Sequence, residues 1–293
     1  MKKFNNFLKK NLKFIIILIV AIIITSMISV YAAYSYLATD VSYTKPDVTG
    51  TSVKAALDEL YKKATIVTVP LIDCTGNYAD INGDGTVDGL IFADLAFAGS
   101  GTWGSELKTG FSYSAVTSGL KSYYISKESY SDSIWGTHVV ISPVSGTSGT
   151  DRFYIMSLTD FDSSDHYWYY SANMSDYSSY TSFAFGKGKE NTTKMITKWN
   201  ASGYGSQNSN DMWKLIQTKV NAGWFVPSYA EWAAFASKYG ITKNNYSSFG
   251  LKNVYWSSSQ QAPTRADITL FEYGFMSVAD VYHENSVRLA ATF

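Results

Sequence analysis

The sequence predicts an α+β domain of short antiparallel strands and two or three helices, preceded by an N-terminal transmembrane helix. Three observations carry that expectation. Residues 223–240, GWFVPSYAEWAAFASKYG, read as a tightly specified helix with its own start and stop. Apolar runs of strand length recur elsewhere, as YYIS, HVVISPV and RFYIMSL. Near the N-terminus, Phe14–Ala33 holds no charge and is long enough to span a bilayer.

Lys2, Lys3, Lys9, Lys10 and Lys13 precede the apolar run, and no acid accompanies them. This bias places residues 1–13 in the cytoplasm and the remainder outside the cell. Two outcomes fit the run itself. Residues 14–33 are an uncleaved anchor, giving a single-pass membrane protein, or a long signal peptide cut after Ala32, giving a secreted one.

The chain is formally neutral, with 24 basic and 24 acidic residues, so the part beyond the five lysines is net acidic. That balance excludes a nucleic-acid partner. Charged residues are 16% of the chain and aromatic ones another 16%. This composition suits an extracellular domain with an aromatic core. Cys74 is the single cysteine, so it forms no internal disulfide and supplies no paired-thiol site.

Residues 34–66 read as an extracellular spacer, with Pro46 and Gly50 as breaks. It ends in a short helix, TSVKAALDELYKKA, with Val53, Leu57, Leu60 and Ala64 on one face. SVKAALDELY resembles a segment found just outside the membrane anchor in exported proteins of gut Firmicutes. Such a helix packs on the domain or pairs with a neighbouring chain.

The domain proper is expected over 67–293. Its first feature is a calcium-like loop, DINGDGTVDG, over residues 80–89. Asp80, Asn82, Asp84 and Asp88 stand at alternating ligand positions, Thr86 offers a carbonyl, and Gly85 permits the sharp turn. Ile91 replaces the terminal Glu of an EF-hand, so the loop is expected to hold a structural Ca2+ in a shorter motif, with Asp94 completing the shell. The alternative is a Gly/Asp hairpin without metal. LIFADLAF follows as a buried strand.

Beyond it, FDSSDHYWYYSANMSDYSSY (161–180) reads as a long surface loop rich in Tyr and Ser. A helix is expected near 190–200 with Met195, Ile196 and Trp199 inward. Another is expected near 211–221 with Met212, Ile216 and Val220 on one face. In the helix after Gly223, Ser228 and Glu231 form a capping box, Trp232, Phe235, Ala236 and Tyr239 recur at helical spacing, and Gly240 closes the end. Glu231 is thus a capping residue rather than a catalytic acid. YWSSSQ (255–260) and VRLAATF (287–293) read as strands.

GW-x-VPS-x-x-EW, then YWSSSQ, then a spaced A…F…G pattern and VRL, together resemble bacterial C-type-lectin-like domains. That group includes the formylglycine-generating enzyme fold and the variable proteins of diversity-generating retroelements. The resemblance covers 187–293 well and 66–186 loosely. It implies a lectin-like fold that displays a variable region, here 255–293. Tyr255, Trp256, Ser257, Ser258, Ala266, Phe271, Gly274, Val287, Arg288 and Leu289 match the framework. Between them, Pro263, Thr264, Arg265, Asp267, Thr269, Glu272, Tyr273, Phe275, Ser277, Asp280, Tyr282, His283 and Glu284 take the ligand-binding positions. Asp267 stands where relatives often carry an aromatic residue.

No enzyme is expected. The family's catalytic enzymes use two late cysteines, which this chain lacks. His138, His166 and His283 have no metal spacing, and no hydrolase, zincin or phosphate-loop motif occurs. The sugar-binding tripeptides of calcium-dependent lectins are missing too. The expectation is a membrane-anchored surface protein, adhesin or receptor-like, that binds a protein or glycan outside the cell. The alternative is a structural surface or pilus-like component.

Overall fold

Gly89–Asp94 carries small or apolar residues up to its last position, which suits a strand covered on both faces. In the computed structural model it is β3, and all six residues are buried. The structure describes residues 67–69, 71–170, 181–201 and 207–293. The predicted basic segment, apolar run and spacer therefore lie outside the described residues.

Fifteen strands are described, numbered in chain order. Eight form the main sheet: β1 (Val67–Thr68), β2 (Tyr78–Ala79), β3, β6 (Tyr123–Asp132), β7 (Gly136–Pro143), β8 (Phe153–Ser157), β10 (Trp224–Phe225) and β15 (Ala290–Thr292). Their order is β1-β6-β7-β2-β3-β8-β15-β10. The pairs are antiparallel except β2 with β7. Two small sheets are the hairpin β4 (Gly99–Trp103) with β5 (Thr109–Tyr113), and β9 (His166–Tyr167) with β14 (Glu284–Asn285). The last sheet is β11 (Val254–Ala262), β12 (Arg265–Leu270) and β13 (Phe275–Asp280), in that order.

Four helices are described: α1 (Gly188–Asn200), α2 (Met212–Leu215), α3 (Gln217–Asn221) and α4 (Tyr229–Lys238). Only α1 and α4 exceed five residues. The α+β, lectin-like expectation is thereby corrected: strand accounts for 36% against 17% helix, a mainly β architecture. The helical pattern at 211–221 breaks into two short pieces, and strands fill much of the remainder. Among the described residues no helix is long and apolar enough to cross a membrane.

Strand alternation divides the buried residues between cores. Leu90, Phe92, Met156 and Ala290 face one side of the main sheet, where Trp232, Phe235 and Ala236 of α4 cover them. Ile91, Phe153, Ile155 and Ala291 face the other, with Tyr123, Ile141 and Phe293. A third cluster joins Met195 and Trp199 of α1 to Met212, Trp213, Ile216, Trp168 and Trp256. The C-terminal sheet is also buried on both faces: Tyr255, Phe271 and Met276 enter the α4 core, while Trp256, Ala266 and Ile268 enter the α1 core.

The expected surface loop at 161–180 is corrected where it is described. His166, Trp168 and Tyr169 are buried. Trp168 Nε1 donates to Ser257 O at 2.9 Å, which ties this stretch to β11. Residues 171–180 lie outside the described residues.

Candidate functional site

The C-terminal stretch has a buried frame. Tyr255, Trp256, Ser257, Ser258, Ala266, Phe271, Val287, Arg288 and Leu289 are all buried, as is Gly274. Trp256 and Tyr255 reach partners far along the chain, as do Nε and Nη2 of Arg288, whereas Arg288 Nη1 is buried without a hydrogen-bond partner among the described residues. Trp256 Nε1 donates to His166 O at 2.7 Å, and Trp256 O accepts from Trp232 Nε1 at 3.1 Å. Arg288 donates through Nε to Asp160 Oδ1 at 2.8 Å and through Nη2 to Gly250 O at 3.0 Å. The same Asp160 oxygen accepts from Tyr255 Oη at 2.8 Å. These contacts fix the sheet from beneath.

The thirteen predicted ligand-binding residues do not fall on one patch. Pro263 and Thr264 turn between β11 and β12, and Arg265 at the start of β12 pairs with Asp280 at the end of β13, with Tyr282 and His283 just beyond it. Arg265 Nε lies 3.4 Å from Asp280 Oδ1. Tyr282 Oη donates to Asp280 Oδ2 at 3.1 Å, and the Tyr282 and His283 rings are 5.2 Å apart. Val281 N donates to Thr264 O, closing this group. Glu284 lies nearby on β14, where it accepts from Asn210 Nδ2 at 2.8 Å.

At the opposite end of β12 and β13 stand Glu272, Tyr273 and Phe275. The Tyr273 and Phe275 rings are 6.1 Å apart. Sequence reasoning missed that the β4–β5 turn joins this end: Ser105 N donates to Gly274 O at 2.8 Å, and Leu107 beside it is exposed. No local signal announces a contact between segments so distant in sequence. Ser277 is half-buried on β13, the outer strand.

Two of the thirteen are corrected. Asp267 is 2% exposed and Thr269 is fully buried. Both sit on the central strand of a sheet covered on both faces, so alternation moves them from one core to another rather than to solvent. Thr269 Oγ1 contacts Met276 Sδ at 3.3 Å. Asp267 Oδ2 is buried without a hydrogen-bond partner among the described residues. Burial pushes the Asp267 carboxyl up to about 8.

The calcium-like loop closes on its own amides. Asp80, which is buried, accepts through Oδ1 from Gly83 N at 2.7 Å and through Oδ2 from Gly85 N at 2.9 Å. Asp84 Oδ1 accepts from Thr86 N, and Asp84 Oδ2 from Asn82 Nδ2 at 2.9 Å. Asp88 Oδ2 accepts from Ile81 N at 2.8 Å. The Thr86 amide, above all, holds Asp84 below the usual carboxylate range. Burial lifts Asp88 above it, and the Asp80 and Asp84 charges add to that, partly offset by the Ile81 amide and Lys219. Among the described residues no group of three or more His, Cys, Asp and Glu is arranged to hold a metal ion.

Asp94 does not complete this shell, contrary to expectation. Its two oxygens accept from Arg152 Nε and Nη2, each at 2.8 Å, in a buried bidentate pair. Arg152 also donates to Ile72 O at 2.9 Å, and Asp94 accepts from Cys74 N at 3.1 Å. Burial pushes the Cys74 thiol up to about 11, which leaves it protonated and unreactive.

Glu231 forms the expected capping box with Ser228. Its Oε2 accepts from Ser228 N at 2.7 Å. Oε1 accepts from Gly186 N at 3.0 Å and Gly188 N at 3.2 Å, so one carboxyl serves the N-termini of both α1 and α4. Burial lifts Glu231 to about 7 even though these donors pull it down.

No family model matches the chain, and neither a characterised protein nor a solved structure matches it.

Proposed function

We propose that the chain is an exported surface protein that presents a recognition surface to a protein or glycan outside the cell. In this reading residues 1–33 carry it across the membrane. They hold it there by residues 14–33, or release it by cleavage near Ala32. The observation that supports recognition most is the segregation along 255–293: the ten framework residues are buried, while Arg265, Glu272, Tyr273, Tyr282, His283 and Glu284 remain exposed. Tyr273 is 57% and Tyr282 42% exposed. Aromatic anchors among varied polar groups on a fixed frame suit binding. The resemblance of the frame to retroelement variable proteins adds a mechanism for varying these positions. It requires a reverse-transcriptase gene beside this one and a near-copy of the coding end that differs at adenines.

The test replaces Arg265, Tyr273, Tyr282 and His283 together by Ser. The wild-type and variant chains are then compared on arrays of glycans and extracellular proteins. The expected result is selective binding by the wild type, lost in the variant, with unchanged melting. Binding that survives the substitutions, or no binding by the wild type, overturns this reading.

A further inference from the structure

A buried carboxyl without a partner is rare in a folded protein, because removing it from water is costly. Asp267 comes close to this, on the central strand of the sheet that carries the displayed positions: the residue is 2% exposed and its Oδ2 has no hydrogen-bond partner among the described residues. The local pairing is irregular there. Trp256 pairs with Ile268 and Gln260 with Ala266, so Ser257, Ser258 and Ser259 bulge out opposite Asp267. On its other side Asp267 pairs with Val278 of β13.

Among the described residues none of the elements around it supplies a counter-charge. β11 offers Ser257–Gln260, which do not ionise. Along β13 the nearest ionisable group is Asp280, which is occupied by Arg265 and Tyr282. The α4 helix contributes Tyr229, Glu231 and Lys238. Tyr229 Oη accepts from Thr109, and Glu231 is turned onto the amides of Ser228, Gly186 and Gly188. Lys238 lies toward Asp73. Burial is the sole cause of the rise in Asp267.

We propose that Asp267 is a proton-operated catch on the recognition surface: protonated, it lets β13 close on β12, and ionised, it releases β13 together with Phe275, Ser277 and Asp280. The outer strand is the part that can yield, since its pairing within this sheet is to β12 alone. The inference rests on the recognition reading only for its consequence, since the catch itself is a property of the fold.

The sign follows from linkage. A carboxyl raised to about 8 in the folded chain and near 3.9 when unfolded gives full stability below about pH 4. That stability declines as pH rises toward about 8 and levels off above. The ionised fraction, and with it the opening of β13, grows about tenfold per pH unit below the folded value.

Hydrogen exchange on the full chain tests this, with intrinsic exchange corrected at each pH from 5 to 9. The expected result is opening of the β12 and β13 amides that rises about tenfold per pH unit until about pH 8. It should be abolished in Asp267→Asn. Asp267→Leu, which removes the group without leaving a polar atom, should also be flat, and it serves if the Asn variant folds poorly. A pH-dependent opening that persists in either folded variant overturns the proposal. So does a wild-type sheet whose exchange does not respond to pH. Loss of array binding with the catch intact would sink the recognition reading alone.

Discussion

A Cβ placed on Gly188 would overlap Glu231 Oε2 and lie 2.8 Å from the Val226 carbonyl oxygen. The first residue of α1 is therefore pressed against the carboxyl that caps α4. Gly→Ala within a helix ordinarily gains about 0.5–1 kcal/mol. Here the sign should reverse, and Gly188→Ala should cost about 1–3 kcal/mol through overpacking. Urea denaturation checks this, and a variant at least as stable as the wild type would refute the contact.

Glu231 also predicts a pH effect of its own. Its folded value of about 7 exceeds the unfolded carboxylate value of about 4.3, so it contributes most below about pH 4 and its contribution falls as pH rises toward 7. Glu231→Gln should flatten that slope. It should also lower stability by about 1–3 kcal/mol, because an amide NH2 would meet backbone N–H donors. Chemical denaturation from pH 4 to 8 separates the two effects.

The buried Asp94–Arg152 pair makes a second stability prediction. Removing one partner strands the other charge, so Asp94→Ala should cost about 3–5 kcal/mol. A cost within about 0.5 kcal/mol would mean that water reaches the pair.

Frame and surface should respond differently along the C-terminal stretch. Trp256→Ala and Phe271→Ala should each cost about 3–5 kcal/mol. Tyr273→Ser and Tyr282→Ser should stay within about 0.5 kcal/mol. Thermal unfolding of the four variants reads this directly.

Calcium gives the last prediction. If the loop at 80–89 holds Ca2+ through Asp80, Asp84 and Asp88, the ion binds the folded chain and raises stability by mass action. The melting temperature should then climb with millimolar calcium in the wild type but not in Asp84→Ala. A melting temperature indifferent to calcium would leave the loop as an amide-closed hairpin.

What the sequence made legible was local or periodic. The Ser228–Glu231 box lies within one helical turn, and the frame residues around Trp256 carry a motif. What it concealed depended on coverage. Asp267 and Thr269 look like outward polar positions in a strand, and no local pattern says that both faces of β12 are covered. The 161–180 stretch looks polar, yet Trp168 and Tyr169 are drawn inward by partners such as Ser257, far along the chain. Asp94 resembled a metal ligand until Arg152 was placed beside it.

The position of β15 between β8 and β10 has a consequence for how the protein is made. During synthesis β3 and β8 emerge early and can pair, but the outer edge of β8 has no neighbour until Ala290–Thr292 are produced. Until then it presents open backbone groups to any passing strand. Pairings this remote in sequence also form slowly. The nascent chain thus needs shelter over a long interval, and a shortened transcript that loses β15 leaves a product prone to aggregate rather than a smaller working protein.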